Sequence, residues 1–498
     1  MGNSYAVFSP AFFQASAPII LLAIASLVTM MQSVIRSMSG VAAVRTVLIG
    51  SLVLALFMAA SQMTMEPMSF LQGTFIAEGL GRFGVTLILL ISLITALLFQ
   101  SSHLASFFYR GEISAIFLVV VMGGLVTVTS DDLITLFIGL EMASIGIYAL
   151  VGYIHPSRTS MEGAIKYFVL GGFASAFLLF GIALLFVVTG TISISGIVGK
   201  LTGSEHHVWA MLGGIFLLVG LAFKFALAPF HLWAPDAYEG APTPMTAFMA
   251  TAVKAMILVV FVRFFAQGMD KLHAVWYPSI VFVAASSMIF GNLLGLVQSS
   301  LKRMLAYSSV AHGGYMAVAL AAVSAKSGQM PIAAVLFYIV AYTILTLGAF
   351  AVLVWFESKE NDNLQLDDIS GLGKKYPYAC GALAFFMFAM AGFPPMAGFL
   401  GKFFVFSAAL DQELYSIVII GVLGSCISLY YYLRVIVKAY LSEPSSFTLN
   451  IMPQRSYVLT VVIAVSVILS LMLGTVWPND LMKSMKVITL GELTPFKG

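Results

Sequence analysis

Four charged residues stand where an apolar chain should carry none. Glu141 interrupts LITLFIGLEMASIGIYALVGY, Lys224 lies in LAFKFALAPF, Lys254 follows FMATAV, and Lys402 sits in GFPPMAGFLGKFFVF. A charge at the bilayer centre costs roughly 2.5–3.5 kcal/mol on insertion scales, so an ionisable group inside a span reads as functional until shown otherwise. Burial disfavours the charged form of such a group and brings a lysine's proton exchange within reach of physiological pH. The chemistry open to this set is therefore proton transfer. Glu141 needs a cation beside it, because a lone carboxylate in lipid would simply protonate, and Lys224 is the expected partner. The bland alternative is a static ion pair that fixes helix packing. Against it stand the other lysines, which have no obvious acid inside the membrane.

Two more residues are auxiliary candidates. His312, in KRMLAYSSVAHGGYM, titrates near neutrality and shares a polar stripe with Tyr307, Ser308, Ser309 and Tyr315. A single helical histidine is more often a satisfied core residue. Lys166 follows Glu162 by one turn at the mouth of an apolar run, where an i,i+4 pair and snorkelling to the headgroups would also account for it. His231, Trp233 and Asp236 read as caps and anchors of a loop at the membrane surface.

The elements that must hold these residues are apolar helices. The 498 residues are 60% hydrophobic and only 9% charged, whereas a soluble chain carries about 25% charged residues. Apolar runs of near-spanning length recur throughout, and their lack of alternation excludes a membrane β-barrel. The fold class is all-α, a polytopic membrane protein. Spans are expected near 17–34, 45–62, 83–101, 113–129, 132–153, 163–189, 208–229, 244–266, 277–298, 302–323, 331–356, 377–408, 413–440 and 456–476, fourteen in all. The segment 63–82, with Glu66, Pro67, Glu78 and Arg82, reads as amphipathic or re-entrant. The longest polar connection, 357–375, reads as a solvated loop.

Counting cations by loop gives the orientation. Connections after odd-numbered spans hold Arg36, Arg45, Arg110, Arg158, Lys302, Arg303, Lys359, Lys374, Lys375, Arg434, Lys438 and Arg455. The other side holds Arg82, Lys200, Arg263, Lys271, Lys326, Lys483, Lys486 and Lys497. The excess of twelve over eight puts both termini on the non-cytoplasmic face of a bacterial inner membrane. The remaining four of the 24 cations are Lys166, Lys224, Lys254 and Lys402. The N-terminus lacks a basic region before its apolar stretch and reads as the retained start of the first span.

Several classes are excluded. A net charge of +3, with no basic cluster interleaved with aromatics, argues against nucleic acid. Cys380 and Cys426 have no metal-ligand spacing and read as small core residues. No Walker loop, dinucleotide fingerprint, haem or iron–sulfur ligand set is present, so no cofactor is expected in this chain.

Prolines give a second signal. Pro229 follows Lys224 by five residues, and Pro394–Pro395 precede Lys402 by seven to eight. A proline in a spanning helix opens a break that must be buried in protein or line a wet cavity. Two broken helices that each carry a buried ionisable group suggest a transporter core built from repeats. The opposite order of proline and lysine hints at inverted repeats, roughly 113–266 and 277–440.

FKFALAPFHLWAPDAYEGAPTP, the following ATAVK, NLLGLVQSSLKRMLAYSSVAHGGY and AGFPPMAGFLGKFFVF together resemble the antiporter-like subunits of proton-pumping respiratory complex I, from about residue 110 to about 440. Within that family GLEMASIGIYALVGY, MEGAIKYF and Lys402 are most similar to the N-type subunits. M-type subunits typically carry glutamate where Lys402 stands. L-type subunits have a long lateral helix, for which little chain follows the fourteenth span here. The resemblance implies fourteen helices with two inverted five-helix repeats, broken in the seventh and twelfth spans. It divides the chain into 1–110, 111–270, 271–441 and 442–498. By the same resemblance Glu141 and Lys224 form an input pair, Lys254 is a central relay and Lys402 an output lysine, with Lys166 and His312 auxiliary. The chain would be a non-redox subunit of an NADH:quinone oxidoreductase, with FMN, iron–sulfur clusters and quinone held by partner subunits. Its partners would be the neighbouring antiporter-like and small membrane subunits and the lipid bilayer. The alternative is a subunit of a multi-component cation/proton antiporter without redox partners.

Overall fold

Helices account for nearly the whole computed structural model, which describes residues 10–490 apart from 36–39, 72, 154–156, 202–206, 267–272, 324–328, 360, 446–447, 449–450, 452 and 455. Arg36, Lys271, Lys326, Arg455 and Lys497, used above to orient the chain, lie outside the described residues, as do residues 1–9. Every one of the fourteen expected spans coincides with a helix or a broken helix. Among the described residues, eleven helices are long and apolar enough to cross a membrane, and three shorter apolar ones, Val208–Lys224, Pro377–Ala391 and Ala397–Leu410, belong to the broken spans. Backbone groups in lipid have no water to bond, which is why apolar runs of this length close their hydrogen bonds internally as helices.

Burial sorts the spans. The eighth (Thr243–Phe264) is wholly buried and the eleventh (Met330–Phe356) nearly so, whereas the first, second and fourteenth are mostly open to the surroundings. The tenth, Leu301–Ala321, carries Lys302, Ser308, Ser309 and His312, yet all its residues except Arg303 are buried. A polar helix that is also buried must face polar groups on its neighbours. These three helices form the axis on which the charged residues meet. Outer helices present Phe57, Phe173, Val187, Ile419 and Val461 outward, as a lipid- or partner-facing surface requires.

Two expectations are corrected. Residues 63–82 contain a small hairpin, Met68–Phe70 paired antiparallel with Phe75–Ala77, in place of an amphipathic or re-entrant stretch. Arg82 pins it from the third span by donating to the carbonyls of Met65, Glu66 and Ala77. Cys426 is exposed, so of the two cysteines only Cys380 is a core residue. After the fourteenth span a further short helix, Pro478–Leu490, runs back beside the start of the third, where Gly79 meets Ile488. Gln62 Nε2 reaches the Gln14 carbonyl at 2.5 Å, so the first helix begins on that same face. The described part thus starts and finishes on one side, as an even number of crossings demands.

Candidate functional site

The first break follows Lys224, the last residue of His207–Lys224. The chain turns through Ala226 at φ 59°, and the helix end leaves carbonyls that need donors. The Phe223 carbonyl accepts from the indole of Trp233 at 3.0 Å. The Phe225 carbonyl accepts from Nζ of Lys254 at 2.8 Å. On the far side of the break, the Ala228 amide donates to Ser287 at 2.8 Å. A second helical piece, Trp233–Gly240, completes the seventh span.

Lys224 turns away from the break toward the fifth span. Its ammonium lies 3.0 Å from Glu141 Oε1 and donates to Ser144 at 2.7 Å and, more weakly, to Tyr148 at 3.4 Å. Ser175, from the sixth span, donates to the same Glu141 oxygen at 2.6 Å. The lysine side chain is 1% exposed and that of the glutamate 21%. The pair therefore has one dry member and one partly exposed member.

Lys254 has no acid. It begins the helix Lys254–Ala266, directly after a π-helical turn at Met249–Val253. Besides the Phe225 carbonyl, its ammonium meets the Phe225 ring, 4.5 Å from the centroid. Gly313 makes room for it, since a Cβ there would sit 3.1 Å from Nζ.

Lys402 repeats the arrangement at the second break. Pro377–Ala391 ends at Gly392, whose φ of 98° is one that glycine adopts without strain, and Ala397–Leu410 resumes the span. The Lys402 ammonium donates to the Ala391 carbonyl at 3.0 Å and lies 4.9 Å from the Tyr315 ring centroid. At each break, then, a lysine holds a carbonyl released at or just past the helix end, where the partial negative charge of that end favours a cation.

His312 stands between the two lysines. Gly313, the next residue, leaves the space that Lys254 Nζ borders, and Tyr315, over which Lys402 sits, is 5.7 Å from the His312 ring. The ring nitrogens of His312 pair with the hydroxyls of Tyr338 at 2.7 Å and Tyr432 at 3.1 Å, and Tyr432 is 2.5 Å from Ser308.

Lys166 is elsewhere. Its side chain is 43% exposed and bridges Glu162 and Asp236, each at 2.7 Å. Asp236 also takes Arg303 at 2.6 Å, and Arg303 reaches Glu239 at 2.9 Å. This is a surface ion network that ties the second half of the broken span to the sixth and tenth. The expected surface anchoring by His231 and Trp233 is overturned: both are buried, and Trp233 stacks on Tyr167 at 3.8 Å. Only Asp236 plays the anchoring part.

The sequence also misassigned buried charges to loops. Arg263 is fully buried and clasps Glu78 through Nε and Nη2 at 2.9 and 2.7 Å, with the carbonyls of Ser130 and Val128 completing its fork. Lys302 and Glu357 are each 3% exposed. The flanks of Arg263, LVVFV and FFA, carried the signal, but a residue near the end of the expected span 244–266 was counted with the adjoining connection. Among the described residues no group of three or more His, Cys, Asp or Glu is placed to hold a metal ion.

A transmembrane family described as NADH:quinone oxidoreductase/Mrp antiporter matches residues 130–428, the stretch that holds Glu141, both broken spans, His312 and the buried lysines Lys224, Lys254, Lys302 and Lys402. The chain belongs to that family. Among its members, NADH-quinone oxidoreductase subunit N 1 of Sorangium cellulosum is similar at 41% identity over 380 residues, 74% of each chain. A chain of respiratory complex I from Thermus thermophilus with bound aureothin aligns with TM-score 0.79 and 30% identity, over 94% of this chain and 99% of that one. A chain of the Mrp complex from Dietzia sp. DQ12-45-1b aligns with TM-score 0.83 over 96% and 99% of the two chains, at 20% identity. The fold is thus common to both branches of the family, and the sequence likeness lies with subunit N.

Proposed function

We propose that this chain translocates protons as an N-type membrane subunit of an NADH:quinone oxidoreductase, through a relay of Glu141, Lys224, Lys254, His312 and Lys402. The observation that carries this reading is the Glu141–Lys224 contact at 3.0 Å beside a helix break whose Phe225 carbonyl is held by Lys254. When the pair is closed, Glu141 stabilises the charged form of Lys224. When it opens, Lys224 loses its counter-charge in a dry site, and its proton is driven toward the neutral amine of Lys254, which becomes an ammonium as Lys224 becomes an amine. His312, flanked by two tyrosine hydroxyls, accepts and donates between Lys254 and Lys402. No electron moves in this chain; FMN, iron–sulfur clusters and quinone belong to partner subunits, which release redox energy elsewhere in the complex.

On this reading the chain is organised as two repeats, 111–270 and 271–441, flanked by 1–110 and 442–498, and the presence of one broken span in each repeat supports it. With the more basic connections inside, both termini face the non-cytoplasmic side of the bacterial inner membrane. Lys166 has no place in the buried relay on its geometry, and its role is to hold the second half of the seventh span. The discriminating experiment is purification from native membranes through a tag on this chain. Co-purification of a peripheral arm that oxidises NADH with a quinone acceptor is expected. Recovery of sodium/proton exchange components without NADH oxidation would place the chain in a cation antiporter.

A further inference from the structure

Two of the buried carboxyls outside the relay stand on opposite faces, in contrasting company. Glu78, 2% exposed, is neutralised in place by the fork of Arg263. Glu357 directly follows the eleventh span, and no lysine or arginine among the described residues lies within ion-pairing distance of it. Its carboxylate accepts from the Thr243 hydroxyl, at the start of the eighth span. Lys302 faces it from the tenth span at longer range, with its ammonium committed to the Ala241 carbonyl at 3.1 Å, and Asp362 in the adjoining loop opposes it. Burial pushes the Glu357 carboxyl up to about 7, against the pull of Lys302 and Thr243. A carboxyl without a paired cation, one residue from a loop that reaches solvent at Ser358 and Lys359, can take a proton from water and give it up again.

Hydroxyl groups lead inward from it. Thr246, one turn beyond Thr243, anchors Tyr238 by bonding its carbonyl at 2.8 Å. The Tyr238 hydroxyl addresses Ser309, and Tyr342 donates to the same Ser309 at 2.9 Å. Ser309 is one turn before His312, which bonds Tyr338, itself one turn before Tyr342. Thr243 and Lys254 are eleven positions apart, about 16 Å along the eighth span, which packs against the tenth and eleventh spans that carry Ser309 and Tyr342. All members of this hydroxyl ladder are buried.

We propose that Glu357 is a proton-loading residue on the cytoplasmic side, which feeds His312 and Lys254 through Thr243, Tyr238, Ser309 and Tyr342. The inference rests on the relay reading above. The carboxylate takes a proton from water at the loop. The acid then passes it to the hydroxyl chain, where each oxygen accepts one proton and releases its own to the next. The chain ends on the neutral amine of Lys254, which becomes an ammonium as the Glu357 carboxylate is restored.

The test uses the assembled complex in sealed vesicles, with NADH-driven proton uptake and NADH oxidation by an artificial acceptor measured in parallel from about pH 6 to about pH 8. In the parent, pumping falls as the pH rises through the loading group's range. Glu357→Gln keeps the size of the side chain and its acceptor for Thr243. It is expected to lower pumping about tenfold or more and flatten the pH profile, with assembly and the artificial-acceptor rate unchanged. Glu357→Asp should recover much of the pumping. Parental pumping by Glu357→Gln, alongside loss of pumping in Lys254→Met, overturns the inference and leaves the relay standing. Parental pumping by both variants overturns both. Parallel loss of assembly and of the artificial-acceptor rate in Glu357→Gln would assign Glu357 a structural role and overturn the proposal.

Discussion

The two broken spans hold their lysines in different electrostatic company. At the first, Lys224 has a carboxylate at 3.0 Å and two hydroxyls, and a second lysine, Lys254, takes the freed carbonyl. At the second, one lysine does the latter task alone: Lys402 holds Ala391 and faces an aromatic ring, with no acid beside it. In the proposed relay, the first site changes the charge balance when one partner moves, and the second responds to it, because its carbonyl and ring ligands carry no charge. The first break is thus suited to receive a conformational signal and the second to follow the charge that reaches it.

Substitutions at four positions would break or sharpen this contrast. The largest effect is expected from Glu141→Ala, which removes the carboxylate partner: coupled proton pumping should fall about tenfold or more. Glu141→Asp keeps the charge and should be milder, and equal loss in the two would show that shape at this position matters more than charge. Lys402→Met keeps length and apolar bulk but leaves the Ala391 carbonyl without its donor, which costs about 1–3 kcal/mol. Pumping should drop severalfold with the complex still assembled, and Lys402→Arg should restore part of it. Gly313→Ala brings a methyl to within 3.1 Å of Lys254 Nζ and should slow pumping by a smaller factor, read as a lower coupled rate at unchanged complex content. Lys166→Ala should leave coupling nearly intact, because an exposed pair is worth about 0–1 kcal/mol. A loss as large as that of Glu141→Ala would mean that the surface network controls the break it adjoins.

Much of this arrangement was legible in the residues. Apolar run length fixed the helices, because lipid leaves the backbone no other way to satisfy itself. Pro229 and Pro394–Pro395 marked the breaks, and the expense of burying charge singled out Glu141, Lys224, Lys254 and Lys402. What stayed hidden depended on contacts between distant segments. The hairpin at 68–77 is too short and too mixed to show periodicity. Trp233 looked interfacial by type, yet the break it adjoins supplies a buried carbonyl for its indole. Arg263 and Glu357 lie close to span ends, where a position a turn either way separates water from core, and only packing decides. Lys166 was drawn into the relay set by resemblance, whereas its two acids place it on the surface.

The central claim is that the charge on Lys224 couples the first break to proton movement. Its most direct test is the ratio of protons moved to NADH oxidised in vesicles carrying the assembled Lys224→Ala complex. The account predicts a marked fall in coupled quinone reduction and in that ratio, with electron transfer from NADH to an artificial acceptor close to that of the parent. An unchanged ratio at an unchanged coupled rate would contradict it.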